Sequence, residues 1–261
     1  MNSEFSKRCI QLAGRLADAA RNIVLQHYRT DVAVEVKPDQ SPVTAADRDV
    51  EAELRRLITA EFPDHGIVGE EYSAYQSEAE YVWVLDPIDG TKAFICGIPV
   101  FGTLIGLAQH GKPILGVIDQ PVLRERWIGG VDYPTMLNDR PVRTRACKTW
   151  DSATVCATTP DMFTGRDQKS FQRVQHETKW VRYGTDCYAY GLLATGLVDL
   201  VIEADVKVHD YIGPAAVIAG AGGLVTDWTG ASVDLNTPTD HIIAAGDSAM
   251  QKQALAFLGG D

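Results

Sequence analysis

The sequence predicts a mixed α/β protein in two halves, an α+β half over residues 1–146 and an α/β half over residues 147–261. Three observations carry this reading. Two stretches near the N-terminus repeat apolar residues at helical spacing. Short apolar runs separated by turn residues follow, as in strands joined by hairpins. From about Ala153 onward, strand-like and helix-like segments alternate, which is the pattern of an α/β unit.

Between Glu4 and Tyr28, Phe5, Cys9, Leu12, Leu16, Ile23 and Val24 share one helical face with Ala13 and Ala20. A polar link containing Pro38 and Pro42 comes next. A second helix over about Ala46–Phe62 turns Val50, Leu54, Leu57 and Ile58 inward, and Pro63 ends it. Ile67 opens a short apolar run that closes on Glu70 and Glu71. Val82–Leu85, with Trp83 among them, reads as the end of a buried strand. Pro87 cannot donate to a sheet ladder, so the strand is expected to stop there. Strands over Phe101–Ala108, Ile114–Asp119 and Glu125–Ile128 follow, with a hairpin turn at Gly111-Lys112-Pro113. The first half is thus expected to be two helices against an antiparallel sheet.

The halves are expected to meet within residues 142–151. Beyond lie strand Thr154–Ala157, helix Asp167–His176, strand Trp180–Tyr183, helix Asp186–Thr195 and strand Val198–Glu203. Helix Asp210–Gly220, strands near Leu224 and at Ile242–Ala245, and helix Ala249–Leu258 complete the chain.

Composition narrows the function. A chain of 261 residues can bury a large core. The formal charge of −11 argues against nucleic acid and anionic membrane as partners, since both are bound through excess Lys and Arg. It leaves open a phosphorylated small molecule, because a bound metal reverses the local sign. The five cysteines are scattered, with no Cys-x-x-Cys pair. They read as reduced and mostly buried, which fits a cytoplasmic protein. The N-terminus shows no apolar core of a signal peptide, and the near-apolar run Ile212–Val225 is too short to span a bilayer.

The chemistry centres on Asp86-Pro87-Ile88-Asp89-Gly90-Thr91. Pro87 fixes its own φ and Gly90 permits a conformation other residues resist, so the turn should be rigid. Two carboxylates held this way suit a hard divalent cation such as Mg2+, with the Ile88 carbonyl as a further oxygen ligand. The Gly90 and Thr91 amides face an anion naturally, as at the start of a helix. A turn with two solvated aspartates is the plainer alternative. Asp47, Glu70 and Asp210 have plain alternatives too. Thr44 and Asp47 fit a capping box, Glu70-Glu71 a solvated turn, and Asp210 an acid in the first turn of a helix. An EF-hand loop is excluded because Ile88 falls where an acid is needed. A P-loop is excluded by the absence of its Gly-x4-Gly-Lys-Ser/Thr pattern.

Taken together, Val43-Thr44-Ala45-Ala46-Asp47, Gly69-Glu70-Glu71, the 86–91 motif, and Asp210 followed by Gly220-Ala221-Gly222-Gly223 match a known pattern in order and spacing. Nearly the whole chain resembles the inositol monophosphatase family of Mg2+-dependent phosphomonoesterases. The resemblance implies a layered αβαβα sandwich of the inositol monophosphatase and fructose-1,6-bisphosphatase type, and a homodimer. It implies that Glu70, Asp86, the Ile88 carbonyl, Asp89 and Asp210 ligate two or three Mg2+ ions. Asp47, Glu70 and Thr91 would be the catalytic residues, Asp47 and Thr91 positioning the attacking water. Gly90 and Thr91 would cradle the phosphate.

Two further stretches, residues 90–105 and Arg182 to Leu193, resemble the branch that hydrolyses histidinol phosphate in histidine biosynthesis. Asp186 and Glu203 would add negative charge beside a cationic amino alcohol, which gains nothing special for neutral inositol. Ile88, Asp89, Gly90, Thr91, Arg182, Thr185, Asp186, Glu203 and Asp210 make up the expected substrate site. Asp186 also fits a helix N-cap, and Glu203 a solvated strand end. His209, where the inositol branch typically carries Trp, departs from both branches and is given no role. Inositol monophosphatase, a 3′(2′),5′-bisphosphate nucleotidase and an inactive metal-binding regulatory protein are the alternatives.

Overall fold

The computed structural model describes residues 4–31, 34–36 and 42–259. Helices α1 (Glu4–His27) and α2 (Ala45–Glu61) form where the apolar spacing predicts them. Part of the expected polar link instead pairs as two short antiparallel strands, β1 (Val34–Val36) and β2 (Pro42–Thr44). Pro38 lies outside the described residues.

A seven-stranded sheet follows. Its strands are β3 (Gly66–Gly69), β4 (Tyr81–Asp89), β5 (Gly102–Gln109), β6 (Lys112–Gln120), β7 (Glu125–Gly130), β8 (Tyr133–Leu137) and β9 (Arg140–Pro141), side by side in chain order. A short helix α3 (Thr91–Ile95) sits between β4 and β5. The sheet is antiparallel except at β3–β4, which pair parallel. This corrects the all-antiparallel expectation, and residues 70–80 supply the returning crossover that parallel pairing needs. The β5–β6 hairpin also turns earlier than expected. His110 and Gly111 both have positive φ, 48° and 82°, as a two-residue primed turn requires. Lys112 and Pro113 already pair with Gln109 and Ala108.

The second half alternates as expected. It runs β10 (Thr154–Ala157), α4 (Gly165–Glu177), β11 (Trp180–Tyr183), α5 (Tyr188–Ala194), β12 (Leu200–Ala204), α6 (Val208–Gly220), β13 (Leu224–Thr226), β14 (His241–Ala245) and α7 (Ser248–Leu258). The strands form a five-stranded sheet ordered β11-β10-β12-β14-β13.

Three apolar cores stack these elements into αβαβα layers. In the first, Leu12, Leu16, Leu54 and Ile58 of α1 and α2 pack on Trp83, Leu85 and Val117 of the large sheet. The next strand position, Val84, points to the other face. There, with Leu104 and Trp127, it meets Tyr190 and Leu193 of α5, Ile212 and Ile218 of α6, and Val201 and Ile242 of the small sheet. The third core joins Val155, Leu200 and Ile202 to Phe171 and Val174 of α4 and Met250 of α7. Each large apolar side chain so buried contributes roughly 1.5–3 kcal/mol.

Helix α6 lies unusually close to the large sheet because glycines face each other across the contact. A Cβ on Gly116 would stand 2.0 Å from the Gly213 carbonyl oxygen, and one on Gly213 would stand 2.9 Å from the Ile105 carbonyl oxygen. Helix backbone therefore rests on strand backbone, and the start of α6 reaches the end of β4. No helix among the described residues is long and apolar enough to cross a membrane.

Candidate active site

The site forms at the end of β4. The strand does not stop at Pro87, as expected from its missing N–H, but runs to Asp89 with a break in register. Asp86 pairs with Leu104 and Asp89 with Gly102, so β4 carries one residue more than β5 across this interval. That is a β-bulge, and Pro87 sits inside it, where no ladder bond is needed. Thr103 Oγ1 donates to the Pro87 carbonyl at 2.8 Å and pins the bulge. Residues three apart on a regular strand point to opposite faces. The extra residue returns Asp89 to the side of Asp86.

Asp210 arrives from the other half. It occupies the first turn of α6, where its Oδ2 accepts from the Lys207 N–H at 2.7 Å. Its plain capping role is thus real, and it leaves the other oxygen for a ligand. Single oxygens of Asp86, Asp89 and Asp210 all lie within 4.8 Å of one another. Glu70 follows β3, and the register pairing Gly69 with Leu85 sets it beside Asp86. Glu70, Asp86 and His209 form a second group within the same distance.

These acids stand too close to share full charge. Burial raises the Asp86 carboxyl well above its ordinary range, and Glu70, Asp89, Asp210 and Asp47 push it further. Asp89 is raised likewise by burial, then by Asp186, Asp210 and Glu203. Burial also raises Asp210, opposed by His209 and the Lys207 amide. Asp86 is 2% exposed, and its Oδ1 has no hydrogen-bond partner among the described residues. A buried acceptor normally finds a donor, so an orphaned carboxylate oxygen facing other carboxylates fits a cation. An all-oxygen set of this kind suits a hard divalent ion.

The remaining predicted residues fall as follows. The buried Asp47 carboxylate accepts from the Thr44 N–H at 2.9 Å and from its hydroxyl at 2.6 Å, the capping box predicted as its plain alternative. Burial raises its pKa, the Thr44 bonds lower it, and Glu70 adds a smaller upward push. Thr91 Oγ1 donates to the Ile88 carbonyl at 3.1 Å, which leaves that oxygen a second lone pair. Gly90 has φ 79° at the start of α3, and a Cβ there would stand 2.9 Å from Asp186. Only glycine satisfies both conditions.

Asp186 is not an N-cap. It has φ 41°, and α5 begins at Tyr188 with Cys187 in the cap position. Burial raises its carboxyl and nearby Lys92 draws it back, a neighbour the sequence did not suggest. The Cys187 N–H donates to Asp89 Oδ2 at 2.6 Å, tying the 184–187 turn to the acidic cluster. Thr185 Oγ1 is buried beside the Cys156 thiol, whose pKa burial pushes up and Thr185 draws partly back down. Glu203 is not solvated: it is 4% exposed and accepts from Thr158 Oγ1 and the Tyr190 hydroxyl. Arg182 is exposed on β11, on the sheet face shared by Cys156 and Val201 and two strands from Glu203.

Sequence reading missed Glu51. It is fully buried, accepts from the Glu71 N–H at 2.7 Å and the Tyr72 N–H at 3.3 Å, and pairs with Arg55 Nε at 2.7 Å. A Cβ on Gly69 would stand 2.0 Å from its Oε1. Glu51 therefore holds the turn that carries Glu70. The available signal was an acid on the Leu54–Ile58 face of an otherwise apolar helical stripe.

The family model for the inositol monophosphatase family matches residues 7–258. The chain is 45% identical over 259 residues to the bifunctional phosphatase IMPL2, chloroplastic, of Arabidopsis thaliana, covering 96% of this chain and 75% of that one. It is 31% identical over 252 residues to the histidinol-phosphatase of Chlorobaculum parvum, covering 96% of each. A solved inositol monophosphatase from Zymomonas mobilis superposes with a TM-score of 0.90 at 39% identity, over 99% of this chain and all of that one. The match in sequence, in layer order and across nearly the whole length has one meaning: this chain belongs to the inositol monophosphatase family of metal-dependent phosphatases.

Proposed function

We propose that the chain is a Mg2+-dependent phosphomonoesterase that hydrolyses L-histidinol phosphate to L-histidinol and phosphate. The observation that carries the chemistry is the orphaned Asp86 Oδ1 inside the Asp86–Asp89–Asp210 cluster. Asp86, Asp89 and Asp210, with Glu70 and the Ile88 carbonyl, would hold Mg2+, two or three ions per site. When bound, Mg2+ supplies charge neutralisation, Lewis-acid polarisation of the phosphoryl group and a more acidic water.

The protein's own groups do the positioning. The Gly90 and Thr91 amides, at the start of α3, would receive phosphoryl oxygens. The Thr91 hydroxyl would orient the attacking water and Asp47 would accept its proton or hydrogen bond; the partners they have in the structure are the Ile88 carbonyl for Thr91 and Thr44 for Asp47. A threonine hydroxyl is a poor base alone, so the carboxylate is needed.

The substrate reading rests on charge. Asp186 and Glu203 both raise the Asp89 carboxyl, so they stand close enough to the reacting end to be felt there. A cationic amine and imidazole suit that surplus of acid, which a neutral polyol does not use. Lys92 tempers Asp186. The curated histidinol-phosphatase relative supports the same choice. The inositol monophosphatase neighbour from Zymomonas mobilis supports the second reading, an inositol phosphate substrate. We also propose a homodimer, checked by sizing in solution, and a cytoplasmic setting for the five free cysteines.

The test is phosphate release with Mg2+ from histidinol phosphate, inositol 1-phosphate and adenosine bisphosphate. Histidinol phosphate should give by far the largest kcat/KM, and Asp186→Ala should narrow its lead. Equal rates on the first two esters would defeat the substrate assignment and leave the metal chemistry standing.

A further inference from the structure

His209 is the one side chain of the acidic cluster that neither the sequence motif nor the proposed chemistry uses. It precedes Asp210 in the first turn of α6, with its side chain 16% exposed. One of its ring nitrogens lies within 4.8 Å of carboxylate oxygens of both Glu70 and Asp86, which in turn lie within that distance of each other. Its Nε2 is 3.5 Å from Asp210 Oδ1, too long for a strong hydrogen bond. The imidazole thus lines the cluster without being firmly held by any one acid.

We infer that His209 is a nitrogen ligand on the Glu70 flank of the metal centre, so that one position there takes a mixed nitrogen–oxygen donor set. The inference rests on the metal-centre reading above. Three donors converge on this flank: Glu70 from the turn after β3, Asp86 from the bulge, and His209 from α6. Asp86 is 98% buried by its 2% exposure, and its unpartnered Oδ1 marks this as a place built for a ligand. The same fixed helix start that delivers Asp210 also delivers His209, so no rearrangement is needed to present it.

The donor set has a chemical consequence. Mg2+ prefers oxygen donors and retains its water, whereas imidazole suits later divalent ions, and affinity rises from Mn2+ along the first row. A site with one imidazole should accept Mn2+ with a clear preference over Mg2+ at that position, while the Asp86–Asp89–Asp210 group stays indifferent to the change.

The decisive experiment is pulsed EPR of Mn2+ bound to the full-length protein. A 14N modulation of imidazole type is expected from the wild type. It should vanish in His209→Ala, with the remaining Mn2+ still bound. Titration should show Mn2+ affinity on this flank falling by about tenfold or more, since loss of even an outer-shell partner costs about 10–100-fold. The nearest competing explanation, nitrogen from another histidine, is covered by the variant. Bound Mn2+ with no nitrogen coupling in the wild type would overturn the assignment and spare the metal centre. Failure of Mn2+ and Mg2+ to bind at all would overturn both. Should His209→Ala fold poorly, His209→Gln serves in its place, since it keeps a polar side chain of similar length and removes the imidazole; a 14N signal that persists in it would overturn the assignment.

Discussion

Replacing Asp86 by asparagine should stabilise the metal-free protein and destroy its response to metal. The side chain keeps its size, so the 2% exposed site stays filled. What changes is a buried carboxylate whose Oδ1 has no partner and whose neighbours Glu70, Asp89, Asp210 and Asp47 all oppose its charge. Leaving a buried acceptor unsatisfied costs about 1–3 kcal/mol, and more when it is charged. An amide carries no charge and can donate to Asp210. The gain for the metal-free variant is therefore at least about 1–3 kcal/mol, or a rise in Tm of roughly 2–12 °C for a chain of this size. Mg2+ reverses the order. A ligand at about 1,000 times its Kd stabilises a folded protein by about 4.1 kcal/mol, more than that gain, and the variant loses this increment with its ligand. Thermal unfolding with EDTA and then along a Mg2+ titration should show the two proteins crossing, with phosphate release abolished in the variant. A variant less stable than wild type in EDTA, or one that still rises in Tm with Mg2+, would refute the reading of Asp86 as a metal ligand held at electrostatic cost.

Two other perturbations probe different parts of the molecule. Glu51→Gln cannot accept from Arg55, Glu71 and Tyr72 together, since one of its two oxygens becomes a donor. The Glu70 turn should loosen and Mg2+ affinity by calorimetry should fall by about 10–100-fold; unchanged affinity would show that the turn holds itself. His241 tests the pH response away from the metal. Burial pushes its pKa down, but bonds to Asp167 at 2.9 Å and Asp240 at 2.6 Å push it up and win. A raised histidine contributes stability that is fully present below about pH 6.5 and is lost as pH rises through the folded-state value. Chemical denaturation across that window should therefore show a decline that His241→Gln flattens; identical pH profiles would remove the clamp from the account.

The residues that carry charge into the site were legible from sequence, and those that hold them in place mostly were not. Asp86, Asp89, Glu70 and Asp210 stand at segment ends with turn-forming neighbours, and the structure brings them together. The path of β4 through Pro87 was hidden because it depends on Thr103, a partner on the next strand whose hydroxyl reaches the Pro87 carbonyl. Parallel pairing of β3 with β4 was hidden for a similar reason: register is settled by the chain between the strands, not by the strands' own patterns. Helices α1, α2, α4 and α7 needed only periodicity, so their positions came within two or three residues. Glu203 looked like a solvated strand end because its two donors, Thr158 and Tyr190, lie on other elements.

The placement of α6 explains why the acids meet at all. Asp86 and Asp89 belong to the large sheet, and Asp210 belongs to a helix sandwiched between the two sheets. With ordinary side chains at the contact, a helix and a sheet would stand a full side-chain layer apart, and Asp210 could not reach the β4 bulge. Gly106, Gly116 and Gly213 remove that layer, so backbone meets backbone at the place where the charge must converge. Glycine in a helix interior costs roughly 1 kcal/mol relative to alanine, and Pro214 beside it forfeits another helical hydrogen bond. A segment that concedes local stability at two successive positions, and then delivers a carboxylate into a cluster of carboxylates, is stable only in the company of its sheet. The same geometry sets His209 beside Glu70, so the proposed imidazole ligand and the packing of the middle layer depend on one helix.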